Sequence, residues 1–195
     1  MLPLEVVFFM LVAMWGLIGI VRGFSSEIGA SIAIVLAMAV LRVFGPTTIG
    51  VVNKFAGKLT SYHIPVAASV PAGTNPFCAA TSPEQFTFYT VMFAAIVFMG
   101  YQGETFGLPI KLSRAPGLIF GLFAGMLNGW LIAGNLWYFL DKCANYSVPT
   151  LGIQNVGVLS QTAQTILKVL PMNLIGEPLL LMGIMFLLLI ARIAK

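Results

Sequence analysis

The sequence has 195 residues, of which 59% are hydrophobic and only 8% are charged. A water-soluble domain of this length needs roughly a quarter of its residues charged, so ten Lys and Arg and six Asp and Glu are too few to coat a globule. Lipid must therefore solvate much of the surface. The net charge of +4 is spread thinly along the chain. This argues against nucleic acid as a partner, because nucleic-acid-binding proteins cluster their basic residues on one face.

Five apolar stretches are predicted to span a membrane as helices, because a hydrocarbon core of roughly 30 Å needs about 20 mostly apolar helical residues. They lie at residues 6–21, 28–44, 86–101, 115–140 and 174–191. Gly45-Pro46 is predicted to end the second helix. In the fifth stretch the uninterrupted apolar part, 179–191, is short for a span. The pattern predicts an all-α polytopic membrane protein with about five transmembrane helices.

Two further segments, 48–60 and 158–170, are amphipathic without being apolar enough to span. Helices of this kind lie in the membrane interface with the apolar face down, or they pack on the protein's own helices. The pattern leaves both arrangements open. The apolar faces comprise Ile49, Val52, Ala56 and Leu59 in the first segment and Leu159, Thr162, Ala163, Ile166 and Leu170 in the second.

The two cysteines are predicted to lie on the same side of the membrane, Cys78 in a Pro-rich loop at 61–83 and Cys143 just after the fourth helix. Two cysteines on one oxidising face favour a disulfide, and the alternative is two free thiols too far apart to bond. The only histidine, His63, lies in the same loop. Two thiols alone do not complete a tetrahedral metal shell, so no metal site is predicted. A haem or pigment held between the helices needs an axial ligand at membrane depth, and because His63 lies in the loop, neither is predicted.

The orientation is predicted from the positive charges beside the helix ends, because cytoplasmic connections carry an excess of Lys and Arg. One side holds Arg22, Lys111, Arg114, Arg192 and Lys195, and the other holds Lys54, Lys58, Lys142 and Lys168, with Arg42 near its boundary. The counts are equal, but the first side includes two short connections, to which the rule applies best. The N-terminus is therefore predicted outside and the C-terminus in the cytoplasm.

The sequence contains no metalloprotease, serine-hydrolase or phosphate-loop motif. Its acidic residues at or near predicted helix ends are Glu5, Glu27, Glu104, Asp141 and Glu177. A proton relay or coupling-ion site would instead place an ionisable residue near the middle of a span. We therefore predict no enzyme and no cofactor, while a hydrophobic groove could hold a lipid, pigment or quinone without a readable motif.

Small residues recur at every fourth position of the fourth predicted helix, at Gly117, Gly121, Gly125, Gly129 and then Ala133. Such a stripe lets another helix backbone approach closely, so it predicts a helix-packing face. The partner is a helix of this chain or of another chain, and internal packing is favoured because polytopic proteins use most such faces internally. Asn128 and Asn135, one heptad apart on this helix, are predicted to hydrogen-bond across helices.

The connection between the first two predicted helices contains Arg22, Gly23 and Glu27. Gly23 permits a tight reversal of the chain. Glu27 falls in the first turn of the following helix, where the helix dipole favours an acidic side chain. Arg22 and Glu27 bracket the turn and could form an ion pair, so a structural role explains the residues of this motif.

These two regions carry a family resemblance. The pattern Arg22-Gly-Phe-x-x-Glu27 follows the first helix, and Arg114-x-x-Gly117-x-x-Phe120-Gly121-x-x-x-Gly125 opens the fourth, which ends in Asp141. In order and approximate spacing they resemble the colicin V production protein (CvpA-type) family over about residues 1–140. The resemblance implies a bacterial inner-membrane protein linked to bacteriocin export and envelope homeostasis. It implies a four-helix core at 1–141 with an outer loop at 47–85, to which 142–195 add the amphipathic helix and fifth span.

Two functions fit these observations. The first is a non-enzymatic scaffold or accessory subunit of a membrane protein assembly, because packing features are abundant and chemical groups are few. The second is a small transporter, channel or export-related protein, which needs polar residues along a path; the candidates are Asn128, Asn135, Gln102 and Arg42. The expected partners are the lipid bilayer and other membrane proteins, in a homo- or hetero-oligomer.

Overall fold

The computed structural model describes residues 3–59, 63–65, 78, 82–102, 114–149, 159–175, 180, 183–184 and 186–187, with the backbone alone at 56–59 and 114–115. The helices are α1 Leu4–Arg22, α2 Phe24–Leu59, α3 Pro83–Gln102, α4 Arg114–Lys142, α5 Gln161–Lys168 and α6 Pro171–Ile175. No β-strand occurs within these ranges. The prediction of an all-α chain is therefore confirmed for the part that is described.

Three of these helices are long and apolar enough to cross a membrane: Leu4–Arg22, Phe24–Phe55 and Pro116–Lys142. They coincide with the first, second and fourth predicted spans. The third predicted span is also a helix, α3, but Glu84, Gln85 and Gln102 make its ends polar. Most of the fifth predicted span, 174–191, lies outside the described residues, as does most of the loop at 61–83.

The prediction that Gly45-Pro46 ends the second helix is wrong, because α2 runs through both residues to Leu59. The proline removes one backbone hydrogen bond and favours a bend, but packing on neighbouring helices can carry a helix past that loss. Gly45 provides this packing: a Cβ atom there would lie 2.7 Å from Tyr89 Cε1 of α3. Ile49, one turn later, is 2% exposed. The predicted amphipathic segment at 48–60 is thus the second half of α2 and not a separate helix.

The four long helices form a bundle with two distinct ends. α1 packs most extensively along α4, and α2 packs against both α3 and α4. At the polar end α1 and α3 terminate and α2 and α4 begin, since Arg22 contacts the carbonyl of Tyr101 and Gly19 contacts Gly121. At the opposite end, the disulfide end, α4 terminates beside Cys143.

The core lies between α2, α3 and α4. Its largest fully buried side chains include Tyr89, Phe93 and Phe139. Tyr89 stacks on Phe139 at 5.8 Å between ring centroids, and Phe93 meets the same ring edge-on at 5.9 Å. Large apolar side chains on the outer faces of α1, α3 and α4 are exposed: Phe9, Met10, Leu17, Phe98, Met99, Phe120 and Phe123. Lipid is the solvent that these outward faces require.

The short helix α5 packs its apolar face on the protein. Ser160 caps it by accepting a hydrogen bond from Ala163 N, and its hydroxyl donates to Glu5 Oε1 at 2.8 Å, which fastens α5 to the start of α1. Ala163 and Ile166 are buried. Thr162, which the pattern assigned to the apolar face, is exposed. Of the two arrangements that the sequence left open for this segment, the structure has internal packing.

Candidate functional site

The candidate site is a buried polar cluster at the polar end of the bundle, formed by Arg22, Glu27, Ser31, Tyr101 and Asn128. Each of the four long helices contributes, because Arg22 ends α1, Glu27 and Ser31 lie in the first turns of α2, Tyr101 ends α3 and Asn128 lies halfway along α4. The reversal at Gly23 brings α1 and α2 together. Its φ of 85° and ψ of 157° belong to a region that is essentially restricted to glycine.

Glu27 is the centre of the polar cluster and is fully buried. Its Oε1 accepts a hydrogen bond from Arg22 Nη1 at 3.2 Å. Its Oε2 accepts from Asn128 Nδ2 at 2.7 Å and from the hydroxyl of Tyr101 at 3.3 Å. Both carboxylate oxygens are therefore engaged by groups of the same chain. A buried carboxylate requires such partners, since an unpaired charge away from water is very costly.

Asn128 connects α4 to α2 through both ends of its amide. Its Nδ2 donates to the backbone oxygen of Glu27 at 2.8 Å as well as to the carboxylate, and its Oδ1 accepts from Ser31 Oγ at 2.6 Å. The side chain is fully buried. Hydrogen bonds of this kind hold helices together in lipid, where packing alone has no hydrophobic drive.

Arg22 lies on the side of the polar cluster that faces the surface of the bundle. Its Nη2 donates to the backbone oxygen of Tyr101 at 3.1 Å, and its guanidinium carbon lies 4.5 Å from the centroid of the Tyr101 ring. The Arg22 side chain is 26% exposed, whereas that of Glu27 is fully buried. The charge pair thus runs from the surface inwards, and the guanidinium joins α1 to α3 as well as to α2.

The structure brings together residues that the sequence assigned to two separate features. Arg22 and Glu27 belonged to the turn motif, and Asn128 to the fourth helix. Glu27 lies at a helix end, as predicted. Its carboxylate is nevertheless buried and contacts Asn128 in the middle of α4. Sequence reasoning missed Ser31 and Tyr101. Ser31 had a readable signal, because it follows Glu27 by one helical turn on the same face, whereas Tyr101 had none.

Replacing Gly23 with alanine is expected to destabilise the protein by about 1–3 kcal/mol, because a Cβ atom makes this backbone conformation strained. The space around Gly23 is open, with no atom within 4 Å of a built Cβ, so the cost is conformational only. The free energy of unfolding in bicelles measures it. Gly50→Ala, at another open glycine inside α2, is the matched control and is expected to be neutral or slightly stabilising. Equal stabilities for the two variants would contradict a glycine-specific backbone conformation at position 23.

The glycine stripe of α4 packs on α1 of the same chain. A Cβ atom at Gly121 would lie 2.6 Å from Gly19 O, and one at Gly129 would lie 2.9 Å from Val12 Cα. Gly125 faces both Gly16 and Gly19 across the same contact. Gly117 is half-buried near the beginning of the helix. α1 itself thus presents Gly16 and Gly19 to the stripe, so that the two backbones touch over about two turns.

The disulfide end holds both cysteines. The structure joins Cys78 to Cys143, with their Cα atoms 4.9 Å apart and a sequence separation of 65. The chain turns back there through Asn145 and Tyr146, which have φ values of 46° and 57°. The Tyr146 hydroxyl accepts a hydrogen bond from Trp137 Nε1 at 3.1 Å. Burial raises the pKa of Tyr146 above its ordinary value of 10.0, so this phenol stays neutral and able to hydrogen-bond.

Reduction is expected to be necessary before iodoacetamide modifies either cysteine. The intact protein should keep its mass when alkylated after denaturation without reductant, and should gain two carbamidomethyl groups after reduction. Mass spectrometry of the whole chain measures both. A Cys78→Ser plus Cys143→Ser variant serves as the control, since it should gain no group under either condition. Alkylation of the unreduced protein would contradict the disulfide.

Asn135 does not make the hydrogen bond across helices that the sequence predicts. Its Nδ2 donates to Leu131 O of its own helix at 2.6 Å, and its buried Oδ1 has no partner among the described residues. His63 is exposed. Among the described residues, no three His, Cys, Asp or Glu side chains come together as ligands of a metal ion.

An apolar cleft of about 160 Å³ opens between α1 and α4 towards the disulfide end. Leu4 and Leu11 form one wall, Leu136 and Leu140 form the other, and Phe86 of α3 contributes to the lining. Because these lining side chains are apolar, the cleft suits a hydrocarbon chain.

A comparison with protein-family models, with curated proteins and with solved structures finds no match for this chain.

Proposed function

We propose that this chain is a non-enzymatic integral membrane protein that acts as a scaffold or accessory subunit of a membrane protein assembly. The observation that carries the proposal is the closed polar cluster. Both carboxylate oxygens of Glu27 and both ends of the Asn128 amide are hydrogen-bonded within the chain. These groups are occupied in holding helices together, which leaves them unavailable to a solute or a reaction.

Three sets of contacts between helices support a fixed arrangement of the bundle. The backbones of α1 and α4 touch through glycines, the polar cluster links all four long helices, and a disulfide joins Cys78 to the end of α4. A transporter works by moving one group of helices against another. A bundle fastened at both ends suits a protein that presents a constant surface to its partners.

The partners would be other membrane proteins that contact the outward apolar faces. The glycine stripe of α4 is covered by α1. A neighbouring membrane protein would therefore contact the exposed side chains of α1 and α4, such as Phe9 at 56% and Phe123 at 62% exposure. Lipid solvates these faces where no partner does.

The resemblance to the CvpA-type family supports a bacterial inner-membrane location. Two of its pattern residues, Arg22 and Glu27, are joined in the polar cluster, and two others, Gly121 and Gly125, carry the contact with α1. The polar end would face the cytoplasm, because Arg22 and the start of α4 lie there. The N-terminus would then be outside and the C-terminus inside.

The proposal is tested by extracting the protein from native membranes in polymer-bounded lipid discs and measuring native masses. We expect one stoichiometric complex with a second membrane protein or a second copy. Photo-crosslinking residues at positions 9 and 123 should yield adducts with that partner, whereas one at the buried position 139 should yield none. A monomer that remains alone in every disc, with no adduct at either exposed position, would overturn the scaffold function.

One observation favours transport as a second candidate. Asn135 Oδ1, Gln85 Oε1 and Thr90 Oγ1 are buried without a hydrogen-bond partner among the described residues, and water or a polar solute would satisfy such atoms. Reconstituted vesicles test this: flux of protons, ions or small solutes that Asn135→Leu abolishes would favour a transporter. Vesicles that stay tight would dispose of it.

A further inference from the structure

We propose that the second half of α2 binds the headgroup region of anionic lipids at the disulfide end of the bundle. This segment, residues 44–55, is called the α2 extension. Its occupant is a lipid surface with negatively charged phosphate groups, and the contact goes beyond any role of the chain as a scaffold.

The length of α2 allows a contact of this kind. The helix has 36 residues and is about 54 Å long at about 1.5 Å per residue, whereas the hydrocarbon core is roughly 30 Å thick. The stretch from Phe24 to Phe44 already covers about 30 Å. If α2 enters the core near Phe24, the α2 extension would lie at the opposite headgroup region, and a bend at Pro46, where one backbone hydrogen bond is missing, would turn it towards the membrane plane.

The α2 extension has two different apolar faces. Ile49 is buried on the inner face, and Asn53 fixes the inner side further by accepting from Ile64 N and donating to Ile64 O, both at 2.8 Å. On the outer face Phe44 is 57% exposed, Val51 47% and Phe55 67%. Their spacing of seven and four residues aligns them in one stripe.

The stripe is continuous with the lipid-facing surface of the bundle. Val43 and Phe44 are both exposed, and Val51 and Phe55 prolong the same surface. In water, two exposed aromatic rings and a valine would lack the hydrophobic stabilisation that burial of their apolar surface provides. In the interface their burial is favourable, and aromatic side chains are common there.

The charges of the α2 extension complement phosphate. Lys54 is exposed and stands beside Phe55, and Lys58 follows one turn later in the sequence. No acidic residue occurs between Arg42 and Glu84. A lysine in this position extends its apolar stem along the membrane and its ammonium towards the headgroups, where it is attracted to an anionic surface. A protein partner would not by itself require charges of one sign.

A nitroxide at Phe55→Cys tests the location of the stripe. Cys78 and Cys143 are bonded, so labelling without reductant marks the new cysteine alone. Collision rates with oxygen and with a water-soluble nickel chelate are measured in lipid discs containing one-third phosphatidylglycerol. Phe123→Cys is the lipid-exposed control, and Thr165→Cys, on the polar face of α5, is the water-exposed control.

We expect the label at position 55 to show an oxygen-to-nickel ratio several-fold above that at position 165 and below that at position 123. A ratio equal to that at position 165 would put the stripe in water and overturn the proposal. Protection from both reagents would mean that protein covers it, which would also overturn the proposal.

The lipid charge is tested by repeating the measurement in discs of phosphatidylcholine alone. The ratio at position 55 is expected to fall in the neutral discs. Lys54→Gln should abolish most of this difference, whereas Lys168→Gln, at an exposed lysine of α5, should leave it unchanged. A ratio that is the same in both lipids for the unsubstituted Lys54 protein would overturn the preference for anionic headgroups.

Discussion

Replacing Asn128 with leucine is expected to reduce the free energy of unfolding by about 2–4 kcal/mol. The substitution removes three hydrogen bonds, two to Glu27 and one from Ser31, and a hydrogen bond between membrane helices contributes roughly 0.6–1.7 kcal/mol. It also leaves Glu27 Oε2 with only the long contact to Tyr101, and an undersolvated buried carboxylate adds to the cost. Reversible unfolding in bicelles measures the effect.

Asn135→Leu is the matched control for this prediction. It makes the same chemical change on the same helix, at a residue that is also fully buried. Asn135 bonds only to its own helix, and its Oδ1 has no partner among the described residues. The variant is therefore expected to stay within about 1 kcal/mol of the parent protein, or to exceed it, because leucine removes a buried polar group without a partner. Equal losses of unfolding free energy for the two variants would contradict a specific stabilising role of the polar cluster.

Replacing Gly125 with alanine is expected to cost about 3 kcal/mol, at the upper end of what overpacking does to a rigid core. A Cβ atom at this position would lie 2.9 Å from Gly19 Cα and 3.1 Å from Gly16 Cα, and it would overlap the carbonyl oxygen of Trp15. Backbone atoms cannot rotate aside as a side chain can, so α1 must move away from α4. Loss of a disulfide crosslink engineered between these helices, together with the free energy of unfolding, measures the separation.

Gly50→Ala is the control for Gly125, because nothing lies within 4 Å of a Cβ at this helical position. Alanine has the higher helix propensity, by about 1 kcal/mol. The control is therefore expected to be neutral or slightly stabilising. A Gly125→Ala protein as stable as the Gly50→Ala protein would mean that the two backbones are not in contact.

The positions of the helices were largely predictable, and the exception has a clear cause. Long apolar runs cannot avoid helix formation in lipid, since every backbone group must be hydrogen-bonded within its own segment. This accounts for the agreement over α1, α3 and α4. The end of the second helix was predicted from a local signal, Gly45-Pro46. Packing of Tyr89 on Gly45 and burial of Ile49 outweigh that signal, and neither is visible in the local sequence.

The candidate site was predictable only in pieces. The turn motif and the glycine stripe could be read because each is a short-range pattern whose spacing has a direct physical meaning. Their connection through Glu27 and Asn128 spans 101 residues and depends on how α1, α2 and α4 are arranged in space. Asn128 and Asn135 look alike in the sequence, one heptad apart, yet one joins two helices and the other does not.

The sequence by itself determined that the chain is helical, that some of its helices are long and apolar enough to cross a membrane, and that α4 offers a smooth face to another backbone. These follow from composition and from periods of a few residues, which act through solvation and local geometry. Only the tertiary structure decided that α1 covers that face, that α2 continues past Pro46, and that a buried carboxylate joins four helices. Those outcomes depend on contacts between residues that are distant in the sequence. Local patterns are compatible with many sets of such contacts, and only the packing of the whole chain selects one of them.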